Sequence, residues 1–386
     1  MRVAMSSYRF NFTGGIERAS YELARRLVAA GDEVTLVSYD VDPRPEPPLA
    51  WQQVRLAPHI PATVPVQFSA AASGQVDRNS FDLLHNQGGT ALRGQDVITA
   101  HSCHRAWWEM KKRSGELTRA YLNPLHHTVL HIESLNYRPG AYAQVIAVSH
   151  GVKREIIKYY GVPAERISVI PNGVDLSRFT RGTAATRAEL RRQNGYGEDE
   201  VVLLFVGKEF RRKGLLPAIQ SLSGLPSTAR LLVVGGDDRR PFEQAAAQAG
   251  VADRIRFVGH TDRVADYFSC ADVFVFPTAY EAFALVSLEA AASGLPIVTT
   301  RVNGTEDLVI DGRNGCFVER DSSSLTAGLE PLVTDADLRR RMGAAARADA
   351  MGYTWEAMAA RTREVYREVL DRRRIRDRGV QSRKIQ

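Results

Sequence analysis

The stretch DVFVFPTAYEAFALVSLEAAASGLPIVTT, residues 272–300, contains a strand, a helix and a second strand in the order typical of an α/β fold. DVFVFP and PIVTT are short and continuously apolar, as expected of strands that are buried on both faces of a sheet. Between them, helical sequence starts near Phe283 and stops by Gly294. Because strand and helix alternate in this way, the stretch predicts a parallel sheet covered by helices.

The same alternation runs through most of the chain. Further strand candidates are VAMSS, EVTLVSY, FDLLH, DVITAH and QVIAVS in the first half, and VVLLFVG, RLLVVGG and IRFVGH in the second. A segment rich in turn formers, near residues 171 to 182, separates the two sets and suits a hinge. With a length of 386 residues, the chain is therefore predicted to form two doubly wound, Rossmann-like domains, residues 1–175 and 176–353, facing each other across a cleft.

Composition and charge argue against several classes of protein. Apolar residues make up 44% of the chain and charged residues 25%, which is ordinary for a globular protein. The start of the chain does not resemble a signal peptide, no apolar run is long enough for a membrane span, and the three cysteines are widely spaced (Cys103, Cys270, Cys316). We therefore expect a soluble, cytoplasmic protein without disulfides or a zinc site.

Most of the positive charge lies at the end of the chain. Residues 370–386 carry a net charge of +5, out of +7 for the whole protein. A nucleic-acid enzyme usually spreads its basic residues over a folded face. We interpret residues 375–386 as a solvated basic tail and expect no nucleic-acid partner.

Two glutamates, Glu281 and Glu289, are eight residues apart in a segment that is otherwise apolar or small. A buried carboxylate is costly unless a partner compensates its charge. Eight residues of helix span about 12 Å, so one ligand could contact Glu281, the free amides around Ala284 to Val286, and Glu289. The alternative, which spacing alone favours, is that Glu281 caps the helix and Glu289 is exposed.

A cationic loop follows the strand VVLLFVG, and a pair of glycines follows the strand VAMSS. The loop carries Lys208, Arg211, Arg212 and Lys213 at the carboxyl end of its strand, where a phosphate group would bind. A solvated loop is the alternative. The glycines, residues 14 and 15, could present backbone amides to an anion at the start of a helix. A tight turn that requires positive φ explains the pair equally well.

Two further motifs have competing interpretations. The segment 101–113 places apolar residues beside cations, which suits a bilayer interface or, equally, packing inside the first domain or along an acceptor cleft (Trp107, Trp108, Met110, Lys111, Lys112, Arg113). The sequence DVD, residues 40–42, has the form of a metal-binding D-x-D motif. Because it follows a strand and enters the proline-rich segment 43–48, a turn at the end of a strand explains it better.

The segment EAFALVSLE, residues 281–289, resembles the E-x7-E motif of the family 4 retaining glycosyltransferases, which have the two-domain GT-B fold. The resemblance extends along nearly the whole chain, in TGGIE (13–17), AHS (100–102), VIPNGVD (169–175), FVGKEFRRKG (205–214), VVGGD (233–237), FVGH (257–260) and ASGLPIVTT (292–300). FRRKG and RRQNGYG (191–197) are most similar to the lipopolysaccharide core glucosyltransferases.

The resemblance implies catalytic and donor-binding roles for four charged residues. Glu281 would hold the hydroxyl groups of the donor sugar, and Glu289 would bind both ribose hydroxyls. Arg212 and Lys213 would neutralise the diphosphate and stabilise the leaving nucleotide. Family members often carry arginine where Lys208 stands.

The resemblance also implies roles for less polar positions. Gly15 would donate an amide to the phosphate, and His101 would lie at the reacting side of the donor sugar. The base would be recognised mainly through the backbone around Arg256 and Val258. The start of the motif helix would complete the donor site (Phe283, Ala284, Leu285, Val286). Ala284 stands where many members have glycine.

The function implied by the resemblance is retaining transfer of a hexose from a nucleotide diphosphosugar to an acceptor hydroxyl on a glycan, glycolipid or natural product. UDP-glucose is the first candidate donor, and GDP-mannose and UDP-N-acetylglucosamine stay open. The fold needs no metal and no cofactor for this reaction. Residues 1–175 would be the acceptor side, residues 176–353 would bind the donor, and a helix at 354–374 would cross back to the first domain. A peripheral contact with anionic membrane would suit a lipid-linked acceptor.

Two alternatives share this architecture. A nucleotide-sugar epimerase would change its substrate with no acceptor present. A two-lobed sugar-binding protein would also fit, although such proteins are normally exported and this chain shows no signal peptide. A donor screen with and without acceptors distinguishes these classes.

Overall fold

The computed structural model describes residues 1–12, 14–42, 49–56, 61–113 and 121–384. The chain forms two compact units: unit 1 comprises Met1–Gly173 and Trp355–Gln386, and unit 2 comprises Val174–Thr354. Each unit contains one large sheet, and every strand pair among the described residues is parallel. The prediction of two parallel α/β domains is confirmed.

The described residues of unit 1 form nine strands: β1 (Arg2–Ser6), β2 (Arg9–Phe10), β3 (Glu33–Ser38), β4 (Asp40–Val41), β5 (Ala50–Gln53), β6 (Leu83–Asn86), β7 (Val97–Ala100), β8 (Gln144–Ala147) and β9 (Ile167–Val169). The main sheet has the order β5-β3-β1-β6-β7-β8-β9, and β2 pairs with β4 in a small second sheet. Within the main sheet, Met5 of β1 lies between Leu36 of β3 and His85 of β6. The strand order reverses between β1 and β6.

Unit 2 contains six strands: β10 (Val201–Val206), β11 (Ala229–Val234), β12 (Ile255–Gly259), β13 (Val273–Phe276), β14 (Ile297–Thr299) and β15 (Gly315–Phe317). Their order is β12-β11-β10-β13-β14-β15, which is the doubly wound arrangement. Successive residues of β10 alternate between two hydrophobic clusters, with Val202 and Leu204 in one and Leu203 and Phe205 in the other. Because both faces of this strand are buried, its sequence is apolar throughout.

Helices cover these sheets. Those of unit 1 are α1 (Gly15–Ala29), α2 (Val64–Gln75), α3 (His104–Arg113), α4 (Pro124–Asn136), α5 (His150–Tyr160) and, at the end of the chain, α15 (Trp355–Lys384). Those of unit 2 are α6 (Ala184–Gln193), α7 (Phe210–Lys213), α8 (Leu215–Ser221), α9 (Arg240–Gln248), α10 (Val264–Cys270), α11 (Leu285–Ala292), α12 (Thr305–Leu308), α13 (Ser322–Thr334) and α14 (Ala336–Ala350).

The last helix, α15, packs against α1 of unit 1. Its residues Trp355 and Tyr366 are almost fully buried, and Arg363 forms an ion pair of 2.8 Å with Asp32. The helix continues to Lys384, ten residues beyond the end expected from the sequence. In its carboxyl-terminal half, Arg373 pairs with Asp96 of unit 1 instead of facing only solvent.

Candidate active site

The candidate donor-binding residues of unit 2 follow two neighbouring strands, β10 and β13. In a doubly wound sheet, ligands bind beyond the carboxyl ends of the strands where the strand order reverses, and in unit 2 this point lies between these two strands. The residues after β10 lead into α7, and the residues after β13 lead into α11. The sequence motifs therefore occupy the edge of the sheet where a ligand is expected.

The connection from β10 to α7 has an unusual backbone. Among the described residues, Glu209 is the only one other than glycine with positive φ (56°), a conformation that costs energy in most side-chain contexts. The N–H of the next residue, Phe210, donates to Asp237 at 2.7 Å. At the other end of α7, a Cβ on Gly214 would lie 2.1 Å from the carbonyl oxygen of Pro277. Only glycine therefore allows this close approach to the segment after β13.

Glu281 accepts hydrogen bonds from the two cations predicted to bind phosphate. One carboxylate oxygen contacts Lys213 Nζ, lies 3.3 Å from Arg212 Nη1 and accepts from the hydroxyl of Thr278 at 3.1 Å. Arg212 also donates to the carbonyl of Tyr280 at 2.6 Å. This group of Glu281, Arg212 and Lys213 is called the carboxylate–cation cluster below. Its members come from connections that the sequence separates by 68 residues.

The expectation that Arg212 and Lys213 lie on a solvent-facing loop is wrong. Both belong to the one-turn helix α7, and their side chains are only 17% and 13% exposed. Burial lowers the pKa of Lys213, against the opposing effect of the Glu281 charge. For Arg212, burial is outweighed by its hydrogen bonds and by the charges of Glu209 and Glu281, so its pKa lies above the ordinary value. The alternative of a merely solvated loop therefore does not describe these two residues.

The motif helix α11 begins at Leu285, two residues later than expected. Glu281 does not cap it, and Glu289 is only 5% exposed, so the alternative of a cap and an exposed side chain is wrong on both counts. Leu285 N–H donates to Phe283. Within the described part of the chain, the amides of Ala284 and Val286 have no acceptor. Two amides at the start of the helix therefore stay free for an anion.

Three residues that support this site were not found from the sequence. Asp237 accepts the N–H of the first residue of α7. Arg320 donates to the carbonyls of Pro277 and Arg211, which joins the two connections. Gly304 has φ 79°, and a Cβ there would lie 2.7 Å from Phe283 Cα, so only glycine lets this backbone approach the start of α11. A sequence signal existed only for Gly304, in the turn-forming pair that it makes with the preceding asparagine.

The residues expected to recognise a base lie on an edge strand. β12 pairs only with β11, so its other side is unpaired among the described residues. Val258 of β12 packs, partly buried, against the same hydrophobic cluster as Phe283 and Val286. The side chain of Arg256 donates to the carbonyl of Asn194 at 3.0 Å. The backbone around Val258 can therefore offer N–H and C=O groups to a planar base.

Unit 1 holds the other two candidates, Gly15 and His101. Gly15 is the first residue of α1, and neither it nor the preceding glycine has positive φ, so the tight-turn interpretation is wrong. His101 follows the carboxyl end of β7 and is 9% exposed. Its Nε2 lies 3.2 Å from Oε1 of Gln87, a fully buried residue that the sequence did not single out. Because that oxygen only accepts, Nε2 carries the proton and Nδ1 is free to accept.

We expect the free energy of unfolding to fall as the pH is lowered from about 6.5. Burial lowers the pKa of His101 to about 4, and burial together with the charge of His101 lowers that of His85 to about 3. Between these values and the ordinary value, the unfolded chain binds protons that the folded chain does not. Each histidine therefore reduces stability by about 1.4 kcal/mol per pH unit in this range. Chemical denaturation between pH 7 and pH 5 measures the slope.

The exposed His260 supplies the control for this prediction. His101→Gln should reduce the slope by the contribution of about one proton, whereas His260→Gln should leave it unchanged. An identical slope in wild type and His101→Gln would contradict the assignment of a neutral, buried imidazole.

Among the described residues, no group of three or more histidine, cysteine, aspartate or glutamate side chains converges as a metal ion would require. Asp40 of the DVD sequence begins β4, which pairs with β2; the proline-rich segment 43–48 lies outside the described residues. No described helix is both long enough and apolar enough to cross a membrane.

The chain matches two family models that together cover most of its length. Residues 13–178 match "Glycosyltransferase Family 4", and residues 186–349 match "Glycosyl transferases group 1". The two matches identify a two-domain glycosyltransferase. Together with the relatives described next, the match shows that the chain belongs to family 4 of the glycosyltransferases, with the GT-B fold.

Several curated proteins are similar over nearly the whole chain. A D-inositol 3-phosphate glycosyltransferase of Geodermatophilus obscurus is 36% identical over 89% of this chain and 82% of its own length. Its counterpart in Thermobifida fusca is 34% identical over 94% and 90%. The lipopolysaccharide glucosyltransferase WaaG of Escherichia coli K12 is 27% identical over 88% and 91%.

Solved structures show the same fold. A crystal structure of WaaG superposes with a TM-score of 0.80 at 23% identity, over 94% of this chain and 99% of that chain. Anabaena HepE in complex with UDP-glucose superposes with a TM-score of 0.74 at 18% identity, over 95% and 100%. At these identities the likeness supports the GT-B fold alone.

Proposed function

We propose that this glycosyltransferase is a retaining hexosyltransferase that uses a nucleotide diphosphosugar, with UDP-glucose as the first candidate donor. The observation that carries the proposal is the carboxylate–cation cluster beside the free amides at the start of α11. In this arrangement, Glu281 can accept hydrogen bonds from sugar hydroxyls, and the cations and amides can bind a diphosphate. The glucosyltransferase WaaG among the relatives favours glucose as the transferred sugar.

In this proposal each residue of the donor site has one task. Glu281 accepts from sugar hydroxyls and fixes the position of the anomeric carbon. Arg212, Lys213 and the amides of Ala284 and Val286 stabilise the charge that develops on the departing nucleotide. Glu289 accepts from the two ribose hydroxyls, and the backbone near Val258 contacts the base.

Unit 1 contributes two groups to the same reaction. The amide of Gly15, at the start of the long helix α1, donates to the phosphate. His101 lies at the donor sugar and is neutral at pH 7, because burial lowers its pKa to about 4. The acceptor oxygen attacks on the face from which the nucleotide departs, and the departing phosphate takes the acceptor proton. The acceptor is a hydroxyl of a glycan, glycolipid or natural product.

A donor screen tests the proposed function. Nucleotide release is measured with UDP-glucose, GDP-mannose and UDP-N-acetylglucosamine, each with and without candidate acceptors such as inositol phosphate and sugar phosphates. We expect the highest acceptor-dependent release with UDP-glucose, and an α-configured product by NMR from this α-linked donor. A β-configured product would contradict retention, and acceptor-independent conversion of UDP-N-acetylglucosamine would point to the epimerase.

We also predict weak, salt-sensitive binding to vesicles that contain anionic lipid, through the end of α3. Trp108 is buried there, so the packed interpretation applies to that residue. Trp107 is half-buried and stacks on His104. Lys112 and Arg113 are exposed, and each such cation near an anionic surface contributes about 1 kcal/mol. Reversing the charges of residues 111–113 should lower the bound fraction in sedimentation at low salt.

The control reverses three exposed cations of unit 2, Arg239, Arg240 and Arg263, and should leave vesicle binding close to that of wild type. No binding by the wild-type protein at low salt, or equal loss in both triple variants, would contradict a specific membrane contact at α3.

A further inference from the structure

Unit 1 contains a pocket at the edge of its sheet opposite to the edge at which His101 lies. The cavity measures about 680 Å³, within the range of about 300–1,000 Å³ that is usual for small-molecule sites. Asp96, Ala143 and Arg166, which line it, directly precede β7, β8 and β9. His101 follows the opposite end of β7. Because neighbouring parallel strands start at the same edge, the pocket lies at the amino ends of these strands, away from His101.

Four arginines line this pocket, which is called the arginine pocket below. Arg166 comes from the sheet edge, and Arg372, Arg373 and Arg376 come from α15. The pocket has one carboxylate among its lining residues, Asp96. That charge is already compensated, because Asp96 pairs with Arg373 and with Arg78 and accepts the N–H of Leu84.

The other guanidinium groups have no such compensation inside the pocket. Arg166 donates to the carbonyl of Ala143 at 3.1 Å, and Arg372 donates to the side-chain oxygen of Gln144 at 2.9 Å. Both acceptors are neutral, and neither arginine pairs with a carboxylate among the described residues. The side chain of Arg376 is 75% exposed, with Asp377 3.8 Å away. The pocket therefore carries an excess of positive charge.

Aromatic rings form another part of the wall. Tyr137 and Tyr160 pack together with ring centroids 4.9 Å apart, and Tyr160 donates to the half-buried Glu133. Tyr142 is half-buried, and the Arg166 charge partly offsets the rise in its pKa that burial causes. Guanidinium forks match the oxygens of a phosphate group, and apolar ring faces suit the carbon skeleton that carries it.

We propose that the arginine pocket is a second binding site, for a phosphate group carried by a small molecule or by a lipid headgroup. Arg166 and Arg372 bind the phosphate oxygens from two sides, and Arg376 closes the open side of the pocket. A ligand there would join α15 to the amino ends of β7, β8 and β9. Binding would therefore stabilise unit 1 without occupying the donor site.

Calorimetric titration with inorganic pyrophosphate tests the proposal, with UDP present at saturation so that the donor site is already occupied. We expect Arg166→Gln/Arg372→Gln to weaken pyrophosphate binding by about a hundredfold and Arg376→Gln by about tenfold. Arg376 is largely exposed, so its variant should fold normally. Arg367→Gln is the matched control, because Arg367 is exposed on α15 but does not line the pocket.

Phosphatidylglycerol vesicles form the second arm, with phosphatidylcholine vesicles as the reference. Binding to anionic vesicles that the double variant loses, without binding of pyrophosphate, identifies a lipid headgroup as the source of the phosphate. Absence of both kinds of binding in the wild-type protein, or binding of pyrophosphate and of vesicles that are both equal in wild type and the double variant, overturns the proposal. UDP is titrated alone before pyrophosphate is added. If UDP does not bind, this result counts against the proposed donor and not against the arginine pocket.

Discussion

We expect Lys213→Ala and Arg212→Ala each to slow glycosyl transfer on the order of a hundredfold. Removing one electrostatic stabiliser of a departing group typically costs about 3 kcal/mol in the transition state. Both cations also hold the carboxylate of Glu281, so their loss leaves the proposed sugar-binding group less well positioned. Steady-state kinetics with saturating donor measures the loss of rate. Calorimetry measures the affinity for UDP, which should fall as well.

The partial burial of these side chains adds a stability effect. Removing one partner of a buried ion pair costs about 3–5 kcal/mol when the other charge is left alone. In Lys213→Ala, Glu281 keeps Arg212 and Thr278, so we expect a smaller loss. Thermal unfolding of each variant separates this loss from the kinetic effect.

Lys208 provides the matched control, because it is an exposed cation in the same connection. Lys208→Ala should keep kcat within a few fold of wild type. If both Arg212→Ala and Lys213→Ala retained nearly full activity, the assignment would be wrong, and Lys208 with Arg211 would be the better candidates for the diphosphate.

We expect Glu289→Gln to weaken the binding of free UDP by about one to two orders of magnitude. The substitution keeps the shape of the side chain of a residue that is 5% exposed but removes the charge that, in the proposed site, accepts from two ribose hydroxyls. Hydrogen bonds to a charged group contribute about 1.5–3 kcal/mol. Calorimetry with UDP measures the change directly.

Glu281→Gln is the complementary variant. Because UDP alone does not carry the sugar that Glu281 would hold, its affinity should stay nearly the same, whereas the extra affinity of UDP-glucose and kcat should both fall. Equal loss of UDP binding in the two variants, or unchanged UDP binding in Glu289→Gln, would contradict this division of roles.

The sequence predicted the parts of the fold that depend on local periodicity. Continuously apolar strands such as β10 and β13 predicted parallel sheets, because both faces of such strands must be buried. The ends of helices were predicted less well. α11 begins at Leu285 because Ala284 keeps a nonhelical backbone, and nothing in the local composition signals that conformation.

Contacts between distant segments could not be predicted from the sequence. The pairing of Lys213 with Glu281 depends on two connections that the fold of the sheet brings together, and spacing along the chain carries no signal of it. Conversely, a segment that stands out in the sequence can have a purely structural role, as residues 191–197 show. Arg191 is buried and pairs with Asp272 at 2.9 Å, so in the described structure its role is to hold α6 against the sheet of unit 2.

Because α15 belongs to unit 1, the order of synthesis on the ribosome affects the order in which the two units can fold. Synthesis completes all of Val174–Thr354 before Trp355 and Tyr366, which are buried in unit 1, have been made. Domains usually fold in the order of their synthesis, at about 5–20 residues per second. Here unit 2 is the first unit whose residues have all been made. Unit 1 still lacks α15 at that point, so part of its apolar surface stays uncovered. The amino-terminal half of the nascent chain is thus most exposed to aggregation and to chaperones until α15 has been made.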